Sequence, residues 1–199
     1  MTRFFQEGNA QWRGIQDLPN NLFVCGFCNI KVSSVKGYRL GHHGDGSGPQ
    51  IGAIYVCPNC GGASFFAPNK QQFPSPALGS PVQHVPPELN TLYEEARRCT
   101  SQNCYTAAVL LCRKMLMNIA VEQGALEGLK FIEYVNFLSD KGYIPPNGKH
   151  WVDHIRKKGN EATHEIALMA ETDAKDLIGF IEMLLRFLYE FPKMIPVQP

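Results

Sequence analysis

Two Cys-x-x-Cys pairs constrain the fold of this chain more than any other feature of its sequence. Cys25 and Cys28 form the first pair, and Cys57 and Cys60 form the second. Each pair places two thiolates on one side of a turn, so two pairs brought together by antiparallel strands supply the tetrahedral sulfur set that zinc prefers. Four cysteines close the ligand shell, which predicts a structural rather than a catalytic Zn²⁺.

Strand-like runs and small residues surround these pairs. The apolar runs 22–24 (LFV) and 54–56 (IYV) come directly before the two pairs. Gly61 and Gly62 follow the second pair, where they let backbone amides turn toward the sulfurs. The sequence therefore predicts a zinc ribbon over residues 1–66. The alternatives are a redox role for the cysteines, or entry into the ligand shell of one of the two histidines of the glycine-rich loop, His42 or His43.

The rest of the chain has a different pattern. Residues 67–86 are rich in proline and small polar residues, which predicts an extended linker. From Pro87 onward apolar residues recur at helical spacing, and the predicted fold class is mainly α, with an antiparallel helical bundle over residues 87–199 and the ribbon as a small β module. One predicted helix begins at Pro87, and four more cover residues 104–123, 129–140, 150–164 and 172–189. The remaining cysteines, Cys99, Cys104 and Cys112, are predicted to be core or inert.

Charge and hydropathy exclude few functions. The net charge of +1 gives no global attraction to nucleic acid or membranes, so such contacts need a local patch. The N-terminus lacks the apolar segment of a secretory signal, and no long uncharged apolar run occurs, which predicts a cytoplasmic protein without a membrane anchor. In the ribbon, the local patch is Lys31, Lys36 and Arg39. Phe27, Tyr38 and Tyr55 either stack on bases or form the core of the ribbon.

A polar line occupies the predicted helix 150–164. Arg156, Asn160 and His164 are four residues apart, so they stack along one side of a helix. Gly159 weakens that helix by about 1 kcal/mol relative to alanine, which calls for a compensating contact. Three interpretations remain open: a hydrogen-bonded structural seam, acid or base catalysis by His164, or phosphate binding. The phosphate-binding candidates are Arg156, Lys157 and Lys158, together with Arg97, Arg98 and Arg113.

The segments "AAVLLCRKMLMNIA" (107–120), "IRKKGNEATHE" (155–165) and "FLYEFP" (187–192) resemble the HEPN superfamily, in its uncharacterised domain-of-unknown-function 4145 type. The resemblance implies a homodimer. In active members an arginine, a polar residue and a histidine support metal-independent RNA cleavage. The matching catalytic candidates here are His164, Asn160, Lys158 and Arg156, while Gly159 occupies the arginine position.

The resemblance implies a prokaryotic defence-associated protein that binds nucleic acid or a nucleotide through the dimeric helical region. The resemblance implies a degenerate metal-independent ribonuclease, with RNA or another nucleic acid and a protein of a defence system as partners. The alternative is a non-catalytic protein-interaction scaffold that carries a structural zinc ribbon.

Overall fold

The computed structural model describes residues 11–144 and 168–194. The chain divides between Ala77 and Leu78 into two compact units, here called the N-terminal and the C-terminal unit. The boundary lies inside the predicted linker. The predicted helix 150–164 lies outside the described residues, and so do five candidate site residues within it: Arg156, Lys157, Lys158, Asn160 and His164.

A five-stranded antiparallel sheet forms the N-terminal unit. Its strands follow one another in chain order, so each strand pairs with the next. The apolar runs 22–24 and 54–56 lie in the first and third strands, as predicted. The strands are β1 (Gln16–Val24), β2 (Lys31–Gly41), β3 (Gln50–Val56), β4 (Ala63–Phe66) and β5 (Gln72–Phe73).

The core of this unit lies on one face of the sheet. Phe23 and Tyr55 are each 6% exposed, and both rings contact the ring of Phe66, at centroid distances of 5.1 and 5.6 Å. The Tyr55 hydroxyl donates a hydrogen bond to the Pro19 carbonyl oxygen (2.8 Å). Phe27 packs against this core. Tyr55 and Phe27 are therefore core residues and not candidates for base stacking.

The predicted mainly-α fold class is wrong, because this sheet makes the chain a combination of β and α units. Strand β2 alone has eleven residues, and β5 forms from residues that were assigned to the linker. The sequence pattern of β2 conceals its length. Gly37 and a register irregularity opposite residues 17–21 interrupt the apolar alternation by which a strand is recognised.

Helices form the C-terminal unit. Apolar faces of α1, α3 and α4 pack against α2, and the core includes Met115, Ile119, Leu138 and Ile181. The helices predicted from Pro87, over 104–123 and over 129–140 are confirmed within two residues. The last predicted helix changes to a π-helical turn, Arg186–Glu190, before its end. The helices are α1 (Pro87–Ser101), α2 (Tyr105–Glu122), α3 (Phe131–Asp140), α4 (Glu171–Leu185) and α5 (Phe191–Met194).

Residues 78–83, here called the anchored segment, are bound to these helices through their backbone. The segment belongs to the predicted linker, yet three of its backbone amides donate hydrogen bonds to side chains of the helical unit. The backbone N–H groups of Leu78, Ser80 and Gln83 donate to Thr100 Oγ1, Glu182 Oε2 and Glu190 Oε2, each at 2.9 Å. This part of the linker is thus a component of the C-terminal unit.

The Arg97 side chain binds the backbone of the anchored segment through hydrogen bonds. Its guanidinium donates to the carbonyl oxygens of Leu78 (3.2 Å) and Gly79 (3.0 Å) and to both carboxylate oxygens of Glu94 (2.8 Å each). Arg97 is only 2% exposed. A guanidinium that is enclosed and hydrogen-bonded in this way is a structural group, so Arg97 does not belong among the phosphate-binding candidates.

None of the described helices combines the length and the apolar character that crossing a lipid bilayer requires.

Candidate metal centre

Four cysteine sulfurs converge at one end of the sheet. Cys25 directly follows β1 and Cys57 directly follows β3, while Cys28 and Cys60 lie in the turns that lead into β2 and β4. The pairing of β2 with β3 brings the two turns together. All four cysteines are at least 93% buried, and their Sγ atoms lie within 4.8 Å of one another. They could therefore bind one metal ion.

Two of the distances between the sulfurs match the edge of a tetrahedral metal site. Cys25 Sγ lies 3.7 Å from Cys60 Sγ, and Cys28 Sγ lies 3.8 Å from Cys57 Sγ. Four sulfurs at the usual zinc–sulfur distance of about 2.3 Å occupy the corners of a tetrahedron whose edges are about 3.8 Å. Both close approaches join a cysteine of one turn to a cysteine of the other. The centre thus links the two turns, which is how two Cys-x-x-Cys pairs share an ion.

The two cysteine turns have the same backbone hydrogen bonds. Asn29 N–H donates to the Cys25 carbonyl oxygen (2.7 Å), and Gly61 N–H donates to that of Cys57 (2.8 Å). Asn29 and Gly61 both have a left-handed backbone conformation, with φ of 55° and 73°. Asparagine and glycine are the residues that adopt this conformation most readily. The shared conformation explains why an asparagine or a glycine directly follows each Cys-x-x-Cys pair.

Backbone amides point at two of the sulfurs. Phe27 N–H and Gly62 N–H approach the sulfurs of Cys25 and Cys60, each at 3.4 Å. The prediction that both glycines after the second pair turn amides toward the sulfurs is thus confirmed for Gly62 only, because the Gly61 amide donates to the Cys57 carbonyl oxygen. Amides in this orientation stabilise thiolates more than thiols, because the partial positive charge of the N–H group faces a full negative charge. The two amides thus lower the pKa of Cys25 and Cys60, but burial has the larger and opposite effect on both thiols.

Tight packing fixes the first turn against the end of the sheet. A Cβ added to Gly26 would lie 2.3 Å from the Pro74 carbonyl oxygen and 2.6 Å from that of Ser75. Gln72 Nε2 also donates to the carbonyl oxygens of Val24 (2.8 Å) and Pro74 (3.1 Å). The chain after β5 therefore passes directly over the cysteine turn, and only glycine fits at position 26.

Burial controls the protonation of the cysteines when no ion is bound. Burial raises the pKa of Cys25 to about 11 and also raises the pKa of Cys60. Burial acts in the same direction on Cys28, but hydrogen bonds with the Ile30 backbone and with the side chains of Asn59, Cys60 and Cys25 together outweigh it and lower the Cys28 pKa. A metal ion must displace the protons of the thiols whose pKa is raised, so the apparent affinity for the metal falls as the pH falls.

Comparison with known families concerns the other unit. A protein-family model described as a domain of unknown function, DUF4145, matches residues 94–195, which is half of the chain. The chain belongs to the DUF4145 family. No curated protein and no solved structure matches the chain. The match confirms the predicted DUF4145 type, and the cysteine centre lies outside the DUF4145 region.

Arg113, like Arg97 and the exposed Arg98, is a phosphate-binding candidate of the DUF4145 region that lies among the described residues. Its guanidinium lies over the ring of Phe131, 4.1 Å from the centroid, in a cation–π contact between α2 and α3. Burial lowers the Arg113 pKa. One guanidinium nitrogen, Nη1, is buried and has no hydrogen-bond partner among the described residues. The side chain is thus fixed by packing and retains unused hydrogen-bonding capacity.

The remaining candidates are separated from the metal centre. The rings of His42 and His43 contact each other (5.5 Å between centroids) in the exposed loop. Within the described residues, neither histidine belongs to the cysteine cluster. Cys112 is buried in the DUF4145 core, as predicted, whereas Cys104 is exposed. Sequence reasoning missed Trp12, whose Nε1–H donates to the Gly61 carbonyl oxygen (3.0 Å) and thereby contacts the second cysteine turn.

Proposed function

We propose that this DUF4145 protein is a nucleic-acid-binding protein whose N-terminal unit is a zinc ribbon. The observation that carries the zinc assignment is the buried set of four sulfurs with spacings of 3.7 and 3.8 Å. A shell of four thiolates leaves no open position for water or substrate, so the ion is structural. The ion supplies folding energy to a unit whose hydrophobic core is small.

Metal analysis tests the zinc assignment. The full chain, purified from a zinc-containing medium, is expected to carry one zinc ion per molecule by plasma mass spectrometry. Cys104→Ser is the matched control, because this exposed thiol lies outside the centre, and it is expected to keep the zinc. A tetrahedral sulfur set also suits iron. Iron in place of zinc, or a protein without bound metal, would refute the assignment.

The distribution of charge supports nucleic acid as the partner of the N-terminal unit. The N-terminal unit, residues 1–77, contains six lysine or arginine residues and three acidic residues, whereas residues 78–199 contain 13 basic and 15 acidic residues. A zinc ion with four thiolates has a formal charge of −2, but this charge is buried, while Lys31, Lys36 and Arg39 are exposed. The surface of this unit therefore attracts polyanions although the chain as a whole is nearly neutral.

A salt titration tests the nucleic-acid proposal. In a gel-shift assay with mixed RNA and DNA, the zinc-loaded protein is expected to bind, and the affinity is expected to fall as salt increases. Each phosphate contact that is neutralised adds about 0.7 to 0.9 to the slope of log affinity against log salt. The double variant Lys31→Gln/Lys36→Gln is expected to reduce that slope by the amount that corresponds to one or two phosphate contacts. Absence of any shift at low salt would favour the protein-interaction scaffold instead.

The resemblance to the HEPN superfamily supports further parts of the proposal. We infer from it that the DUF4145 region forms a homodimer and that the chain acts with protein partners in prokaryotic defence. A metal-independent ribonuclease activity stays a prediction, because Arg156, Lys158, Asn160 and His164 all lie outside the described residues. A cytoplasmic location also stays a prediction.

A further inference from the structure

We propose that single-stranded nucleic acid binds on the face of the sheet opposite the core of the N-terminal unit, with its bases stacked on a row of side chains that crosses four strands. The inference rests on the proposed function, because it names the surface and the form of nucleic acid through which that function acts. The row consists of Tyr38, Ile54, Phe65 and Phe73, and it is called the aromatic row below.

Strand register places these four side chains side by side. Tyr38 pairs with Ile54, Ile54 pairs with Phe65, and Phe65 pairs with Phe73. Residues directly opposite each other in antiparallel strands lie on the same face of the sheet. The core residues Ala53, Tyr55 and Phe66 occupy the alternate positions, so the aromatic row is on the other face.

The rings of the row are accessible and similarly oriented at one end. Phe73 is 39% exposed, and Tyr38, Ile54 and Phe65 are half-buried. The rings of Phe65 and Phe73 are nearly parallel, with 23° between their planes and 6.4 Å between their centroids. At the other end, the ring of Trp12 meets that of Tyr38 edge-on at 6.3 Å. Rings supported from behind by a sheet offer fixed faces for bases.

The groups that flank the row favour a polyanion over an apolar protein partner. The Tyr38 hydroxyl donates to the carbonyl oxygen of Arg13 (2.6 Å), which places that residue at the end of the row. Lys36 lies two residues before Tyr38 on the same face, and its side chain is 53% exposed. Asp17 forms an ion pair with Lys36 (2.6 Å). An exposed pair of this kind is worth little, so a phosphate can displace the aspartate.

The form of the ligand follows from the way in which the row would bind bases, by stacking. Stacking on side chains needs bases whose faces are free, and a duplex buries them against one another. Stacking also requires no particular base, since every base has a π-face. The aromatic row therefore selects single strands over duplexes and has little sequence preference.

Fluorescence anisotropy with a labelled oligothymidylate tests this inference. A strand of about 12 nucleotides is used, because this length lies in the range that single-strand-binding OB folds cover. The zinc-loaded full chain is expected to bind this strand more tightly than a duplex of the same length. Phe65→Ala and Phe73→Leu are each expected to weaken binding about tenfold, since each removes a ring on which a base stacks. Phe73→Tyr keeps the ring and is expected to bind as the parent does.

Ile51→Ala is the matched control, because Ile51 is an exposed apolar residue of β3 that lines a cavity together with the core residues Tyr55 and Phe66, on the other side of the sheet. Zinc content verifies that each variant is folded. If Phe65→Ala loses its zinc, the comparison of Phe73→Leu with Phe73→Tyr decides whether the ring at position 73 is needed for oligothymidylate binding. Oligothymidylate binding that is unchanged in both Phe73→Leu and Phe65→Ala would overturn the inference and leave the proposed function intact.

A parent protein that binds no nucleic acid at all would instead refute the proposed function together with the inference. Self-association of the parent that Phe73→Leu abolishes would then assign the aromatic row to a protein interface.

Discussion

Replacing Cys57 with serine is expected to abolish metal binding and to unfold the N-terminal unit, while the C-terminal unit stays folded. A structural zinc ion contributes about 10–16 kcal/mol of apparent binding free energy in small zinc modules. That exceeds the free energy of unfolding of many whole domains, about 5–15 kcal/mol. The two units have separate hydrophobic cores, so the loss is expected to remain in the N-terminal unit.

Calorimetry and metal analysis together measure this result. The parent is expected to unfold with a contribution from each unit, and Cys57→Ser is expected to lose the contribution of the N-terminal unit and its zinc. Helical circular dichroism is expected to change little, because the helices lie in the C-terminal unit. Cys104→Ser serves again as the control. A variant that melts like the parent would show that the four sulfurs are not held together by an ion.

Replacing Arg97 with leucine is expected to destabilise the C-terminal unit by about 3 kcal/mol. Removing one partner of a buried ion pair costs about 3–5 kcal/mol, because the other charge is left without compensation. The lower end of that range applies, since the Glu94 side chain is 26% exposed and water can partly solvate it. The carbonyl oxygens of Leu78 and Gly79 also lose their donors.

Urea denaturation followed by helical circular dichroism measures this effect. Arg98→Leu is the matched control: its side chain is exposed on the same turn of α1, so its effect is expected within about 0.5 kcal/mol. The double variant Glu94→Leu/Arg97→Leu is expected to recover part of the loss, because it removes both charges. Equal destabilisation by Arg97→Leu and Arg98→Leu would contradict a structural role for the buried guanidinium. Amide exchange is expected to accelerate at residues 78–83 in Arg97→Leu alone.

The metal centre could be predicted from the sequence because its information is local. Cys-x-x-Cys fixes the separation of two thiols through the geometry of a single turn, and the apolar runs before each pair indicate the strands that present them. The pairing of the two turns needed only the assumption that β2 and β3 are adjacent. Distances of 3.7 and 3.8 Å between sulfurs then follow from the size of a tetrahedral site.

Features that depend on contacts between distant residues could not be predicted in this way. Arg97 follows the buried residues Leu89 and Tyr93 at a spacing of four, so the helical period places it on the buried face of α1. The backbone acceptors of Leu78 and Gly79 that bind its guanidinium could not be predicted. The aromatic row likewise depends on the registers of four strands, and β5 was hidden in a proline-rich stretch. The fold class was misjudged for the same reason, since the extent of the sheet depends on pairing rather than on local pattern.

The similarity of the two cysteine turns has a consequence for the order in which this unit forms. Each turn closes through bonds between near neighbours in the chain, such as Cys25 with Asn29 and Cys57 with Gly61, so we expect both to nucleate early and independently. Joining them encloses residues 29–56 in a loop, and the binding of the proposed zinc ion is expected to offset the entropy lost in closing that loop. The proposed ion is thus expected to act late in folding, by joining two turns that have already formed.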